Sequence, residues 1–147
     1  AMPLVSWGQN EVRRFGDQLY FLRGLVPVSS AENWPWQPPT PLQLSAGQLS
    51  VERCDGPGLD LSKLIDTDVR VVFRRGGERC QRAGQAHSQS LKKLFQSWQV
   101  SPWERERTPL IMVNGDIAAV AGRCVCDGYV CSENGWSLSW RPNIYRH

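Results

Sequence analysis

Short apolar runs alternate with Gly, Pro, Asn and Asp along the chain, a pattern of strands and turns rather than of long helices. Glu11–Phe15 and Gln18–Arg23 flank Gly16-Asp17 and predict a first hairpin. Residues 27–41 hold Pro27, Pro35, Pro38, Pro39 and Pro41 with Trp34 and Trp36. Proline removes a ladder donor and fixes φ, so an extended connection is expected, pinned to a surface by its tryptophans. The two rings are read as packing groups in preference to a ligand site. Leu42–Leu44 and Leu49–Val51 across Ser45-Ala46-Gly47-Gln48 predict a second hairpin, Cys54-Asp55-Gly56-Pro57-Gly58 a turn, and Asp60–Asp68 an acidic loop.

The β-branched run Val69–Phe73 predicts a strand, and Arg74–His87, with Gly76, Gly77 and Gly84, an irregular loop. Leu91, Leu94, Phe95 and Trp98 recur at helical spacing, which predicts one amphipathic helix with Ser88 or Ser90 as its cap and a wholly core-facing apolar stripe. Ser101-Pro102-Trp103-Glu104 has the form of a capping box opening a short second helix. That accounts for Glu104, which is therefore not expected to be a general base, and Trp103 is read as core in preference to a base-stacking surface. Leu110–Val113 and Ile117–Val120 across Asn114-Gly115-Asp116 give a strong hairpin signal, and Cys124–Val125 and Trp136–Trp140 complete the strands. With no fixed-period repeat and no strand–helix–strand alternation, the expected class is a strand-rich α+β fold with one main helix and a short second one. Residues 1–41 read as a hairpin plus a Pro/Trp-rich connection, and 42–147 as the α+β domain.

A length of 147 residues suits one domain, able to bury about two-thirds of its unfolded surface without a metal or disulfide. The 41% hydrophobic share argues against disorder, and no run approaches the roughly 18 apolar residues of a membrane span. No secretory signal opens the given sequence, and Ala1 ahead of Met2 suggests a piece cut from a longer protein. The formal charge of +3 is unevenly spread. Between Val69 and Lys93 lie Arg70, Arg74, Arg75, Arg79, Arg82, Lys92 and Lys93 against Glu78 alone, a local +6 that leaves the rest of the chain acidic. Solvated surface charge is one reading; polyanion binding is preferred, because guanidinium forks match phosphate oxygens. Lys92 and Lys93 also fall in the first helical turn, where the backbone dipole disfavours cations by about 0.3–1 kcal/mol and unpaired N–H groups favour an anion.

Cys54, Cys80, Cys124, Cys126 and Cys131 are an odd set at irregular spacing, which suits a reducing cytosol better than a disulfide framework. Cys124-Val125-Cys126 with Cys131 has some look of a zinc set needing a fourth ligand from Cys54, Cys80 or His87. However, the single-residue spacing is tight for structural zinc, and small buried hydrophobes with no metal are expected. A Cys80–His87 nucleophile pair is conceivable, but His87 among Arg, Gly and Ser fits a phosphate contact better. The chain has neither a phosphate-binding loop ending Gly-Lys-Ser/Thr nor a Gly-x-Ser-x-Gly elbow, so no catalytic residue is expected.

Three blocks carry a family resemblance: Val72-Phe73-Arg74-Arg75-Gly76-Gly77-Glu78-Arg79, His87-Ser88-Gln89-Ser90-Leu91-Lys92-Lys93-Leu94-Phe95-Gln96, and Pro102-Trp103-Glu104-Arg105-Glu106-Arg107-Thr108-Pro109-Leu110-Ile111. Together with the following hairpin and Ala119-Val120-Ala121-Gly122, this ordered pattern over residues 68–141 resembles the C-terminal domain of bacterial tRNA(Ile)-lysidine synthetase. Ser101 stands where that family often has Pro, and Cys124, Cys126 and Cys131 are not part of its pattern. The resemblance implies a layered α+β sandwich similar to a domain of the phenylalanyl-tRNA synthetase β subunit. It implies a cytoplasmic ligase that uses ATP and Mg to join the lysine ε-amine to the wobble cytidine of an isoleucine tRNA, changing the anticodon's reading from AUG to AUA. That chemistry belongs to an N-terminal domain with a Ser-Gly-Gly-x-Asp-Ser loop absent from these residues. The piece in hand is then expected to be inert alone, with no cofactor of its own. It would grip the tRNA(Ile) body and acceptor stem through Arg74, Arg75, Arg79, Arg82, His87, Ser90, Lys92, Lys93, Arg105 and Arg107. Its partners would be that tRNA and its own catalytic domain, with a homodimer of the parent open. The alternative is a docking domain whose basic face packs on the catalytic domain.

Overall fold

Alternation along two central strands decides how the layers stack. The computed structural model describes residues 3–23 and 28–143, so Pro27 and the last four residues of the expected domain lie outside the described residues. Strands β1 (Val5–Trp7), β2 (Asn10–Phe15) and β3 (Gln18–Arg23) form an antiparallel sheet. After β4 (Asn33–Pro35) come the hairpin β5 (Leu42–Leu44) and β6 (Gly47–Arg53), then β7 (Gly58–Leu59) and β8 (Val69–Val72). The short pair β9 (Arg79–Cys80) and β10 (Gln89–Ser90) leads into α1 (Leu91–Ser97) and α2 (Pro102–Arg105). The chain closes with β11 (Leu110–Val113), β12 (Asp116–Val120), β13 (Cys124–Val125), β14 (Val130–Cys131) and β15 (Trp136–Pro142). Two five-stranded sheets result, ordered β13-β12-β11-β8-β4 and β14-β7-β15-β6-β5.

In β8, Val69 and Val71 join the core against the second sheet, while Val72 packs with the helix-side cluster; in β11, Ile111 and Val113 go one way and Leu110 and Met112 the other. A period of two thus builds a sheet buried on both faces. One face meets Leu49, Val51 and Leu59; the other is covered by Leu91, Leu94 and Phe95 of α1, each buried to within 1%. Between β11 and β12 the register steps from Ile111↔Ala119 to Met112↔Ile117, leaving Ala118 as an extra bulged residue. The Asn114-Gly115 turn of this hairpin has both residues at positive φ, the conformation that made the dipeptide legible.

The strand-rich class with few helices is as expected, and α1 occupies the foreseen residues. Three local readings change. The Pro/Trp connection has a strand in its middle: Asn33–Pro35 pairs with Arg70–Val72 at the sheet edge, where a proline costs no ladder bond. Trp36 is buried with its Nε1 donating to the Thr40 carbonyl at 2.7 Å. The acidic loop contains a 3-10 turn, Leu61–Lys63, capped by Asp60, whose carboxylate accepts from the Ser62 amide. The capping box at Ser101 does not form. The Glu104 amide that Ser101 Oγ would have capped donates instead to the Ser101 carbonyl at 3.0 Å, leaving the buried hydroxyl without a hydrogen-bond partner.

Trp103 is fully buried, as expected, and joins the first sheet to the body. The Phe15 and Tyr20 rings meet it edge-on at 6.2 and 5.5 Å, and the Arg13 guanidinium lies 5.7 Å from its centroid.

Candidate nucleic-acid interface

The Arg-rich loop and the helix share one region because β9 and β10 are paired. Arg79 lies opposite Ser90, the residue on which α1 begins, and its guanidinium donates to the Ser88 hydroxyl and carbonyl at 3.2 and 3.1 Å. Arg74 lies over the Phe95 ring of α1 at 5.8 Å. Arg105, held by its Nε to the Val100 carbonyl at 2.7 Å, is pulled below the ordinary guanidinium range by burial and then by the Arg74 charge. Lys92 and Lys93 are exposed on the first turn of α1. Five cations therefore border one short helix. Among the described residues the only one of the seven local cations in an ion pair is Arg70, whose Nε is 2.9 Å from Asp68; the remaining pairs lie elsewhere.

Glu78, the single local acid, does not neutralise a side chain. Its carboxylate accepts the backbone amides of Arg75 and Gly76 at 2.7 and 2.9 Å, and its carbonyl accepts from Leu91 at 3.0 Å. Sequence spacing alone did not show this clamp. Arg75 turns away from α1, its Nε donating to the Ser30 carbonyl at 2.8 Å. A cavity of about 250 Å³ beside it is lined by Arg70, Arg75, Glu78 and Met112 among others. Arg82 is bridged to Cys126, and His87 is exposed on the intervening loop.

One expected contact is corrected, and a second is already engaged in the fold. Arg107 is buried, donating to the Trp103 carbonyl at 2.8 Å, and burial lowers its pKa; it supports α2 from inside instead of facing solvent. Ser90 Oγ accepts from the Lys93 amide at 3.2 Å as the helix cap, and its O–H remains a donor. With Lys93 capped and the Leu91 amide on Glu78, the helix end keeps little of the anion-binding capacity read from its position. The electrostatic attraction of the region is a side-chain property.

Space also redraws the cysteine cluster. Cys131 lies on β14 against the Gly58 and Leu59 carbonyls, while Cys80 joins Cys124 and Cys126, with all three sulfurs within 4.8 Å of one another. Cys80 Sγ and Cys126 Sγ are 2.7 Å apart, and both residues are buried. Hydrogen bonds from Cys126 and Cys80 hold Cys124 down at about 4. The same bond to Cys124, with burial, pushes Cys80 up to about 12, and bonds to Cys124 and Cys80 push Cys126 up further still. Among the described residues this trio is the group able to hold a metal ion.

Residues 69–140 match the family of TilS substrate C-terminal domains. Over 97% of its length the chain is 35% identical to a tRNA(Ile)-lysidine synthase of Coxiella burnetii, covering 32% of that protein. A Legionella pneumophila (strain Paris) protein of the same name is 37% identical over 94% of the chain and 32% of its own length. A third, from Methylococcus capsulatus, is 36% identical over 82% of the chain and 28% of its own length. The chain therefore spans about a third of these relatives. A solved structure described as the crystal structure of a TILS C-terminal domain superposes with a TM-score of 0.60 at 20% identity, covering 76% of this chain and 97% of that one, which shows the fold.

Proposed function

Because the chain belongs, through residues 69–140, to the family of TilS substrate C-terminal domains, we propose that it is the RNA-gripping end of a tRNA(Ile)-lysidine synthase. The observation that carries this reading is the row of cations around α1 that, among the described residues, have no carboxylate partner: Arg74, Arg79, Lys92, Lys93 and Arg105. Such a face loses little by exchanging water for phosphate, and A-form RNA presents phosphates and 2′-hydroxyls while hiding its base edges. It would read the shape of the acceptor stem and body of tRNA(Ile). The parent enzyme would activate the wobble cytidine with ATP and Mg and ligate lysine to it in the cytoplasm. Those steps belong to residues outside this chain, whose sequence contains no Ser-Gly-Gly-x-Asp-Ser loop. In the same reading the layered sandwich is akin to the domain in the phenylalanyl-tRNA synthetase β subunit.

A docking role is favoured by a different surface. Val5, Trp7, Leu19 and Phe21 are exposed on the first sheet, where Val5, Val12 and Phe21 are in register across its three strands. Salt titration separates the two readings. The chain alone should bind tRNA(Ile) with an affinity that falls steeply with salt, about 3–4-fold per phosphate contact between roughly 50 and 200 mM. Lys92→Ala and Lys93→Ala should each lower the log–log slope by about one. An isolated chain that does not bind RNA, or a slope unmoved in both variants, refutes the RNA face and leaves docking.

A further inference from the structure

We propose that Cys80, Cys124 and Cys126 form a three-thiolate site for one thiophilic d10 cation, Zn(II) or Cu(I). The sulfurs come from two segments 46 residues apart, each fixed by backbone hydrogen bonds. Cys80 is paired with Gln89, while the Cys126 amide donates to the Ala118 carbonyl at 2.8 Å. The two segments are laced together by Ala83 N to the Val125 carbonyl at 3.1 Å and Asp127 N to the Gln81 carbonyl at 2.7 Å. Cys124 and Cys126 are two apart on an extended segment, a spacing that lets both sulfurs approach one ion.

The dimensions fit. Metal–sulfur bonds of about 2.3 Å place neighbouring sulfurs about 3.8–4.0 Å apart. The three Sγ atoms already lie within 4.8 Å of one another, and the 2.7 Å Cys80–Cys126 pair must spread by about 1 Å. Soft thiolates select copper(I) and zinc over hard cations, and three of them leave a fourth position for water on zinc or complete a trigonal set for copper(I). Arg82, whose backbone forms a β-bridge with Cys126, brings a positive charge that favours the thiolate forms of Cys80 and Cys124. Three metal–sulfur bonds form, each proton still held by a sulfur passes to solvent, and no electron is transferred. The bound ion would cross-link the arginine loop to β13, tying the placement of Arg79 and Arg82 to metal supply.

The test uses the reduced, metal-free chain under anaerobic conditions, titrated with Zn(II), and separately with Cu(I), against a chromophoric chelator. One ion per chain is expected, and it should protect three of the five thiols from alkylation, mapped by mass spectrometry to the peptides containing Cys80, Cys124 and Cys126. Co(II) in place of Zn(II) should give a thiolate-to-metal charge-transfer band. Cys124→Ser should abolish binding, and Cys54→Ala and Cys131→Ala should leave it unchanged. The wild-type protection map keeps the test decisive even where a cysteine variant fails to fold. Absence of stoichiometric binding of either ion, protection of a different set of thiols, or a Cys80–Cys126 disulfide persisting in reductant overturns the proposal.

Discussion

Replacing Trp103 with alanine tests how the first sheet is held. The indole is fully buried and meets Phe15, Tyr20 and Arg13 from that sheet. Truncating a buried tryptophan costs about 3–5 kcal/mol. Two edge-on ring pairs at about 0.5–1.5 kcal/mol each and one cation–π contact at about 0.5–2 kcal/mol fall on the joint itself. Taking about 2 kcal/mol for that share, amides of residues 5–23 should exchange about thirtyfold faster in Trp103→Ala than in wild type. Those of β8 and β11, protected between the second sheet and α1, should change much less. The main thermal transition, which reports that core, should shift by less than the roughly 10 °C that the full cost would give at about 2–4 °C per kcal/mol for a chain of this size. Hydrogen exchange read by mass spectrometry resolves the two regions, and Phe15→Ala combined with Trp103→Ala should show a coupling of about 0.5–1.5 kcal/mol. Equal acceleration in both regions, or additive mutations, would mean that Trp103 is merely part of a uniform core.

Other substitutions probe the remaining features. Arg107→Met should lower stability by about 1–3 kcal/mol through the lost bond to the Trp103 carbonyl, yet leave the salt dependence of RNA binding unchanged, in contrast to Lys92→Ala. Ser90→Ala should cost about 1 kcal/mol in thermal unfolding by orphaning the Lys93 amide. In Gly135→Ala the new Cβ would fall onto the backbone of Gly58, costing about 1–3 kcal/mol, whereas Gly56→Ala, which faces open space, should stay within about 0.5 kcal/mol of wild type in denaturant melts.

What the sequence disclosed follows the range of the forces involved. The hairpin at Asn114-Gly115 and the stripe Leu91, Leu94, Phe95, Trp98 were legible because turn chemistry and helical period are local. The capping box failed because a burial decision elsewhere put Ser101 inside and let the backbone close on itself. Residues 33–35 look like linker until β8 offers an edge, which no local rule encodes. Charge density draws attention to the basic region, but density cannot tell Arg74, spread over Phe95, from Arg107, turned beneath α2. The cysteine trio was half visible: strand spacing joins Cys124 to Cys126, whereas Cys80 arrives only through the β9–β10 pairing.

The Glu78 clamp bears on how binding begins. A loop bearing this many like charges would ordinarily be splayed by its own repulsion and have to be ordered by the incoming polyanion. Here one internal carboxylate already fills the amide cradle of Arg75 and Gly76, and the same residue's carbonyl anchors α1. Under the proposed RNA-gripping role, this surface is set before contact, and encounter with RNA would start from a preorganised template.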